Sequence, residues 1–240
     1  EQVITPKGLI LFTHGLGGST KRYGLRRIAN KFLKDGFATV KLNLRGAGSG
    51  RYLSGSNYSA RCSEDIISAV NFLKNNYCSK LCRNKRALPL FGVGLSLGGT
   101  ILLNSSLDHS KGGKLFDGIA CVSTPIDLLS SSKCIEKPRN YFYQKWLINR
   151  LKKQVLIANF DSYSNKNNEL RNIIKNKIKT IKEFDKYLTA PNWGYESVED
   201  YYIKASPIHR IKNKVSNLPS TLLIHAKDDP WVPYSPTLEL

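Results

Sequence analysis

Gly94-Leu95-Ser96-Leu97-Gly98 follows the apolar run at residues 87–93 and, after one more glycine, leads into a second apolar stretch at residues 100–107. A buried strand that turns this abruptly into a helix leaves the central serine hydroxyl standing above the sheet. Only glycines fit two residues before and two after such a serine, here Gly94 and Gly98. The N–H of Leu97 then falls at a helix N-terminus, free to stabilise a developing oxyanion. Taken alone the pattern is weak, since chance supplies it in about one chain in ten of this length. The surrounding chain gives it meaning.

Working outward, residues 8–13 (GLILFT) form a continuous apolar run, the mark of a strand buried on both faces. Residues 21–34 space Leu25, Ile28, Ala29 and Phe32 as a helix does, and Asp35-Gly36 ends it. A second strand is expected at 37–44, a glycine-rich loop at 45–50 and a helix at 63–75. Further strands are expected at 87–93, 116–122 and 220–225. This alternation implies an α/β fold with a doubly wound, mostly parallel sheet, and a site in the loops at the carboxyl ends of its strands. Residues 127–206 break the alternation: they are long, basic and helical in pattern, with Trp146, Trp193, Tyr201 and Tyr202. They are read as a helical cap inserted between a first core part, 1–126, and a last core part, 207–240.

A serine nucleophile needs a base for its proton, an acid to orient that base, and donors for the oxyanion. Asp228 and Asp229 follow the last expected strand, and the run Asp229-Pro-Trp-Val-Pro233 favours Asp229 as the acid with Asp228 in reserve. His14-Gly15-Leu16-Gly17-Gly18 follows the first strand, where glycines let the backbone approach a substrate and Leu16 can offer the second oxyanion N–H. His14 is read as shaping this loop and His225 as structural. His109 and His209 fall at an expected helix end and at the end of the cap. No histidine follows Asp229, so the base is expected beyond Leu240. Neither a Walker sequence nor Gly-x-Gly-x-x-Gly is present, which removes the phosphate-cradling readings.

The formal net charge is +19, densest at residues 133–182, where thirteen Lys/Arg meet only Glu136, Asp161 and Glu169. Solvated helix faces account for this most simply, and peripheral association with an anionic membrane surface is the alternative. No recognition helix, RNP motif or zinc finger accompanies the charge, so nucleic acid is not an expected partner. The five cysteines, an odd number in a chain too large to need staples, point to a reducing, cytoplasmic setting. Cys78-x-x-x-Cys82 is read as ordinary thiols, not half a metal site.

With these pieces the chain resembles the α/β-hydrolase superfamily, and within it the YheT-like branch of hydrolases. The resemblance rests on His14–Ser19, Asn43-Leu-Arg-Gly-Ala-Gly48, Gly94–Gly99, His225-Ala-Lys-Asp-Asp-Pro230 and, in the cap, Glu183-Phe-Asp185 through Tyr201-Tyr202. It implies Ser–Asp–His hydrolysis of carboxylic esters without metal or organic cofactor, on a small-molecule ester or lipid substrate. Ser96 and Asp229 match the family's nucleophile and acid, Leu97 and Leu16 its oxyanion donors, and Arg45 its Arg-Gly pair on the loop after the second strand, read as a loop organiser. A family member would carry two strands before Gly8, and a final strand, helix and histidine after Leu240. Two alternatives remain open: a non-catalytic member that binds a lipid or a protein, and acyl transfer through the same serine.

Overall fold

In the computed structural model, which describes residues 5–81, 86–109, 113–158, 165–214 and 218–240, five parallel strands form one sheet in the order β2-β1-β3-β4-β5. They are β1 (Leu9–Thr13), β2 (Ala38–Leu42), β3 (Leu90–Leu95), β4 (Gly118–Val122) and β5 (Ser220–Ile224). Because every pairing is parallel, all the carboxyl ends lie on one rim. β1 is buried at all five positions, as its unbroken apolar sequence requires. Alternate residues face opposite layers: Ile10, Phe12 and Val93 pack with Leu25 and Ala29 of α1 (Tyr23–Lys34). Leu9, Leu11 and Leu90 point into the larger core with α2 (Ser63–Leu73) and α3 (Leu97–Asp108). α3 is buried from Leu97 to Leu107, so it is the central helix of its layer.

The third strand begins three residues later than its apolar run suggests. Pairing starts where the Pro89 carbonyl accepts the Leu9 N–H, and proline can donate nothing to a ladder. It then continues through Gly94 and Leu95, which pair with Cys121 and Val122. The expected loop at 45–50 closes into a 3₁₀ turn at Gly48–Leu53, and the helix at 63–75 passes at Lys74 into a π turn ending at Cys78. The described cysteines are free thiols, and Cys82 lies outside the described residues.

Between β4 and β5 the described chain is helical: α4 (Leu128–Ile135), α5 (Tyr141–Ala158), α6 (Asn165–Asn176), α7 (Ile181–Phe184), a π turn at Asp185–Thr189, α8 (Ala190–Asn192), α9 (Val198–Ala205) and α10 (Ile208–Lys214). Leu147, Ile148, Leu151 and Val155 of α5 pack against Ile174, Ile178, Ile181, Phe184 and Leu188 as a second core. A capping box between Thr180 and Glu183 starts α7. Among the described residues no helix is long and apolar enough to cross a membrane.

Candidate active site

Ser96 stands at the bend between β3 and α3 with φ 52° and ψ −126°, a backbone conformation that is a genuine outlier for a residue with a side chain. Its N–H is held by the Val122 carbonyl at 2.8 Å, while its own carbonyl accepts the Gly99 N–H at 2.9 Å. The flanking glycines are required by space. A Cβ on Gly94 would overlap the Gly99 backbone, and one on Gly98 would lie 2.7 Å from the carbonyl oxygens of Thr13 and His14. A Cβ on Gly15 would sit 3.0 Å from the Ser96 Cβ, so the loop after β1 runs directly against the serine.

Long-range bonds lock that loop. His14 is 2% exposed. One ring nitrogen, Nδ1, lies 2.9 Å from the Gly15 carbonyl, and the other, Nε2, accepts the Leu44 N–H at 3.2 Å. The two partners fix the tautomer with the proton on Nδ1, and burial lowers the imidazole pKa to about 4. His14 is therefore neutral with both nitrogens engaged, a brace for the loop. Gly17, at φ +64°, donates its N–H to the Tyr58 hydroxyl at 2.7 Å, and its carbonyl accepts the Arg150 Nε–H at 2.9 Å. Neither the Leu16 nor the Leu97 N–H has an acceptor among the described residues.

His14, Gly15, Leu16, Ser96 and Leu97 open together into a cavity of about 290 Å³. Its far wall comes from the helical segment, with Leu147, Leu151, Val155, Ile181 and Phe184, and its polar corner from Asp185, Thr189 and Tyr202. The Tyr202 hydroxyl donates to Asp185 Oδ2 at 2.9 Å. Burial outweighs this bond and the one from Thr189, raising the Asp185 pKa to about 6.

The acid candidates separate cleanly. Asp228 is exposed. Asp229 is half-buried, and its Oδ1 accepts the N–H groups of Trp231 at 2.9 Å and Val232 at 3.1 Å. Val232 lines the Ser96 cavity, and Trp231 stacks on Tyr143 with centroids 3.7 Å apart. Asp229 itself is not among the residues lining the cavity. Arg45 does not reach the cavity either. It makes a two-pronged ion pair with Asp65, donates to Ser56 at 3.2 Å and lies 5.3 Å from the Trp193 ring centroid, the contacts of a residue that holds its own loop. His109 caps the far end of α3, and His209 lies in α10. Neither ring nitrogen of His225 has a hydrogen-bond partner among the described residues. Its pKa is lowered by burial, against the charge of nearby Asp229.

Sequence reasoning missed Tyr58 and Arg150, the two side chains that hold Gly17. They lie 41 and 133 residues from it, and no local pattern links a loop to partners so distant. It also missed Ser123, whose φ of 46° lets the rim turn beneath Ser96 while its N–H bonds the Ile224 carbonyl at 2.8 Å.

Known proteins share this arrangement of elements. The family model Hydrolase_4, described as serine aminopeptidase, S33, matches residues 4–240. An abhydrolase domain-containing protein of Dictyostelium discoideum is 32% identical over 233 residues, covering 94% of this chain and 54% of that protein. A monoacylglycerol lipase of Saccharomyces cerevisiae is 28% identical, with coverage of 94% and 49%, and a putative esterase, YheT, of Escherichia coli is 29% identical, with coverage of 93% and 62%. The chain thus spans about half the length of the first two relatives. Among solved structures, a soluble variant of monoglyceride lipase from Saccharomyces cerevisiae superposes with a TM-score of 0.59 at 17% identity, covering 99% of this chain and 74% of that one. The α/β hydrolase GrgF from a Penicillium species gives 0.55 at 16% identity, with coverage of 98% and 76%.

Proposed function

The chain belongs to the Hydrolase_4 family of α/β hydrolases, and from that premise we propose that it is a serine hydrolase of carboxylic esters with an apolar acyl group, using Ser96 as nucleophile and Asp229 as the acid. The observation that carries this reading is the strained Ser96 bend opening, beside Gly15, into a cavity walled by Leu147, Leu151, Val155 and Phe184. Relatives named as a monoacylglycerol lipase and a putative esterase support the same class.

In this reading a base takes the Ser96 proton as Oγ attacks the acyl carbonyl. The N–H groups of Leu16 and Leu97 hold the oxyanion, a pair of donors of which each contributes about 2.7–4 kcal/mol in comparable sites. Collapse breaks the ester C–O bond, the base returns the proton to the departing alcohol, and water releases the acyl group from Ser96 by the same steps. Asp229 orients the base through the oxygen not saturated by Trp231 and Val232. Among the described residues His14 is the one histidine that lines the Ser96 cavity, and its two bonds exclude it as the base.

Hydrolysis of aryl esters of increasing acyl length tests the proposal. Ser96→Ala should lower kcat on the order of 10⁶-fold and Asp229→Asn on the order of 10⁴-fold, while Asp228→Asn leaves kcat within about twofold. Ser96→Ala turning over at the parent rate would end the reading, and equal losses at Asp228 and Asp229 would end the choice of acid.

A further inference from the structure

Two basic stretches meet beside the Ser96 cavity, Arg22 of one and Tyr143 of the other both lining it. Residues 21–34 contain six Lys/Arg and no Asp or Glu, and residues 137–158 contain six more, again with no Asp or Glu. Trp146 of α5 joins them: the Arg22 guanidinium lies 5.1 Å from its ring centroid and that of Arg150 lies 5.2 Å from it. Neither arginine has a carboxylate partner among the described residues. Each contributes its charge to a site already crowded with the other's. Arg22 also lines the cavity, so this concentration of charge borders the space that Ser96 faces.

The same face is aromatic. Tyr141, Phe142, Lys145 and Trp146 share the exposed side of α5, at the spacing that puts side chains on one helical stripe. Phe142 is 83% exposed, and Tyr23, beside Arg22, is 79% exposed. Lys145 lies 5.8 Å from the Tyr141 ring centroid. Exposed aromatic rings with cations between them, and no ion pair to those cations among the described residues, match the interfacial zone of a bilayer: rings settle at the level of the headgroups while Lys and Arg meet anionic lipid.

We propose that the exposed side of α5 at Tyr141–Trp146, together with Arg22 and Tyr23, docks on an anionic lipid surface with the cavity mouth turned toward it. The docking face goes beyond the ester-hydrolase reading and stands on separate observations, charge and aromatic exposure. It gives an apolar acyl group a route from lipid into the Ser96 cavity without crossing water.

Co-sedimentation of the chain with phosphatidylserine/phosphatidylcholine vesicles and with pure phosphatidylcholine vesicles, without turnover, tests it. The parent should favour the anionic vesicles. Arg22→Gln with Lys145→Gln should lower partitioning onto them about twenty-five-fold, about fivefold per cation. Lys80→Gln with Lys114→Gln removes the same charge from positions preceding β3 and β4, at the opposite rim, and should lower it less than about threefold, as expected for charges held away from the surface. Phe142→Ser should weaken binding to both vesicle types, and Ser96→Ala should bind as the parent does, which separates this proposal from the catalytic one. Equal losses for the two lysine-containing pairs, or no anionic preference in the parent, would overturn the docking face. So would variants that lose affinity for single-stranded RNA while keeping their vesicle binding, since cations and aromatics also serve nucleic acid.

Discussion

Two histidines follow strands on the same rim, and their surroundings differ in kind. His14, after β1, has both ring nitrogens bonded, one to Gly15 and one to Leu44 across 30 residues of chain. His225, after β5, has neither bonded among the described residues. The contrast extends to their neighbourhoods. The serine side of the rim is held by remote groups, with Tyr58 and Arg150 fastening Gly17 and the backbones of Thr13 and His14 packed on Gly98. The acid side is held locally: Asp229 bonds N–H groups two and three residues ahead, and β5 is an edge strand with Leu222 and Ile224 exposed. Preorganisation is concentrated where the oxyanion would form.

Four changes sharpen or break that contrast. The largest effect belongs to His14→Leu, which strands the buried Leu44 N–H and takes from the Gly15 carbonyl one of its two donors, the Gly18 N–H remaining. Urea unfolding should show a loss of about 3 kcal/mol, from one unsatisfied group of about 1–3 kcal/mol and one lost hydrogen bond of about 1 kcal/mol. A loss below about 1 kcal/mol would mean that the loop is held by something else.

The second effect is one of pH. The folded-state pKa of His14 is lowered from 6.5 to about 4, so between these values the unfolded chain binds more protons and stability falls as the pH falls. The contribution is complete above pH 6.5 and is lost through pH 4, amounting to about 3 kcal/mol at pH 4. Relative to His14→Gln, the parent should lose that much more stability between pH 7 and 4 in parallel urea titrations. Asp185, with its pKa raised to about 6, works in the opposite direction: its folded form gains protons as the pH falls from 6 toward 4. Comparing the parent with the glutamine variant cancels this contribution.

A smaller loss is expected from Tyr58→Phe, which removes only the acceptor of the Gly17 N–H. Stability should drop by about 1–3 kcal/mol, with a fall in kcat for aryl esters as the Leu16 N–H loses alignment. The smallest effect belongs to His225→Leu, which deletes two nitrogens without a partner among the described residues and should change stability by less than about 1 kcal/mol in either direction. A loss as large as that of His14→Leu would erase the contrast between the two sides.

The legible part of the molecule was the part written locally. Gly94, Gly98 and Gly99 announce the serine bend because the steric need for glycine acts within a few residues, and the unbroken apolar run of β1 announces its burial on both faces. The Pro-flanked turn after β5 was legible as a turn, and an Asp229 oxygen closes it. Tyr58, Arg150 and the leucines of α5 could not be assigned to the site. Tyr58 reaches Gly17 from the loop between β2 and α2, and Arg150 and the leucines reach the site from α5; no periodicity specifies where a distant loop or helix lands on another loop. The π turns at Lys74 and Asp185 were illegible for a related reason: their sequences propagate as helix, and packing inserts the extra residue.

The most direct test of the central claim is to react the chain with a serine-directed fluorophosphonate and map the adduct by peptide mass spectrometry, with rates compared across variants. A single adduct on Ser96 is predicted, forming at least about tenfold more slowly in Tyr58→Phe and unchanged in His225→Leu. An adduct on another serine, or Ser96 left unmodified while the fold is intact, would contradict it.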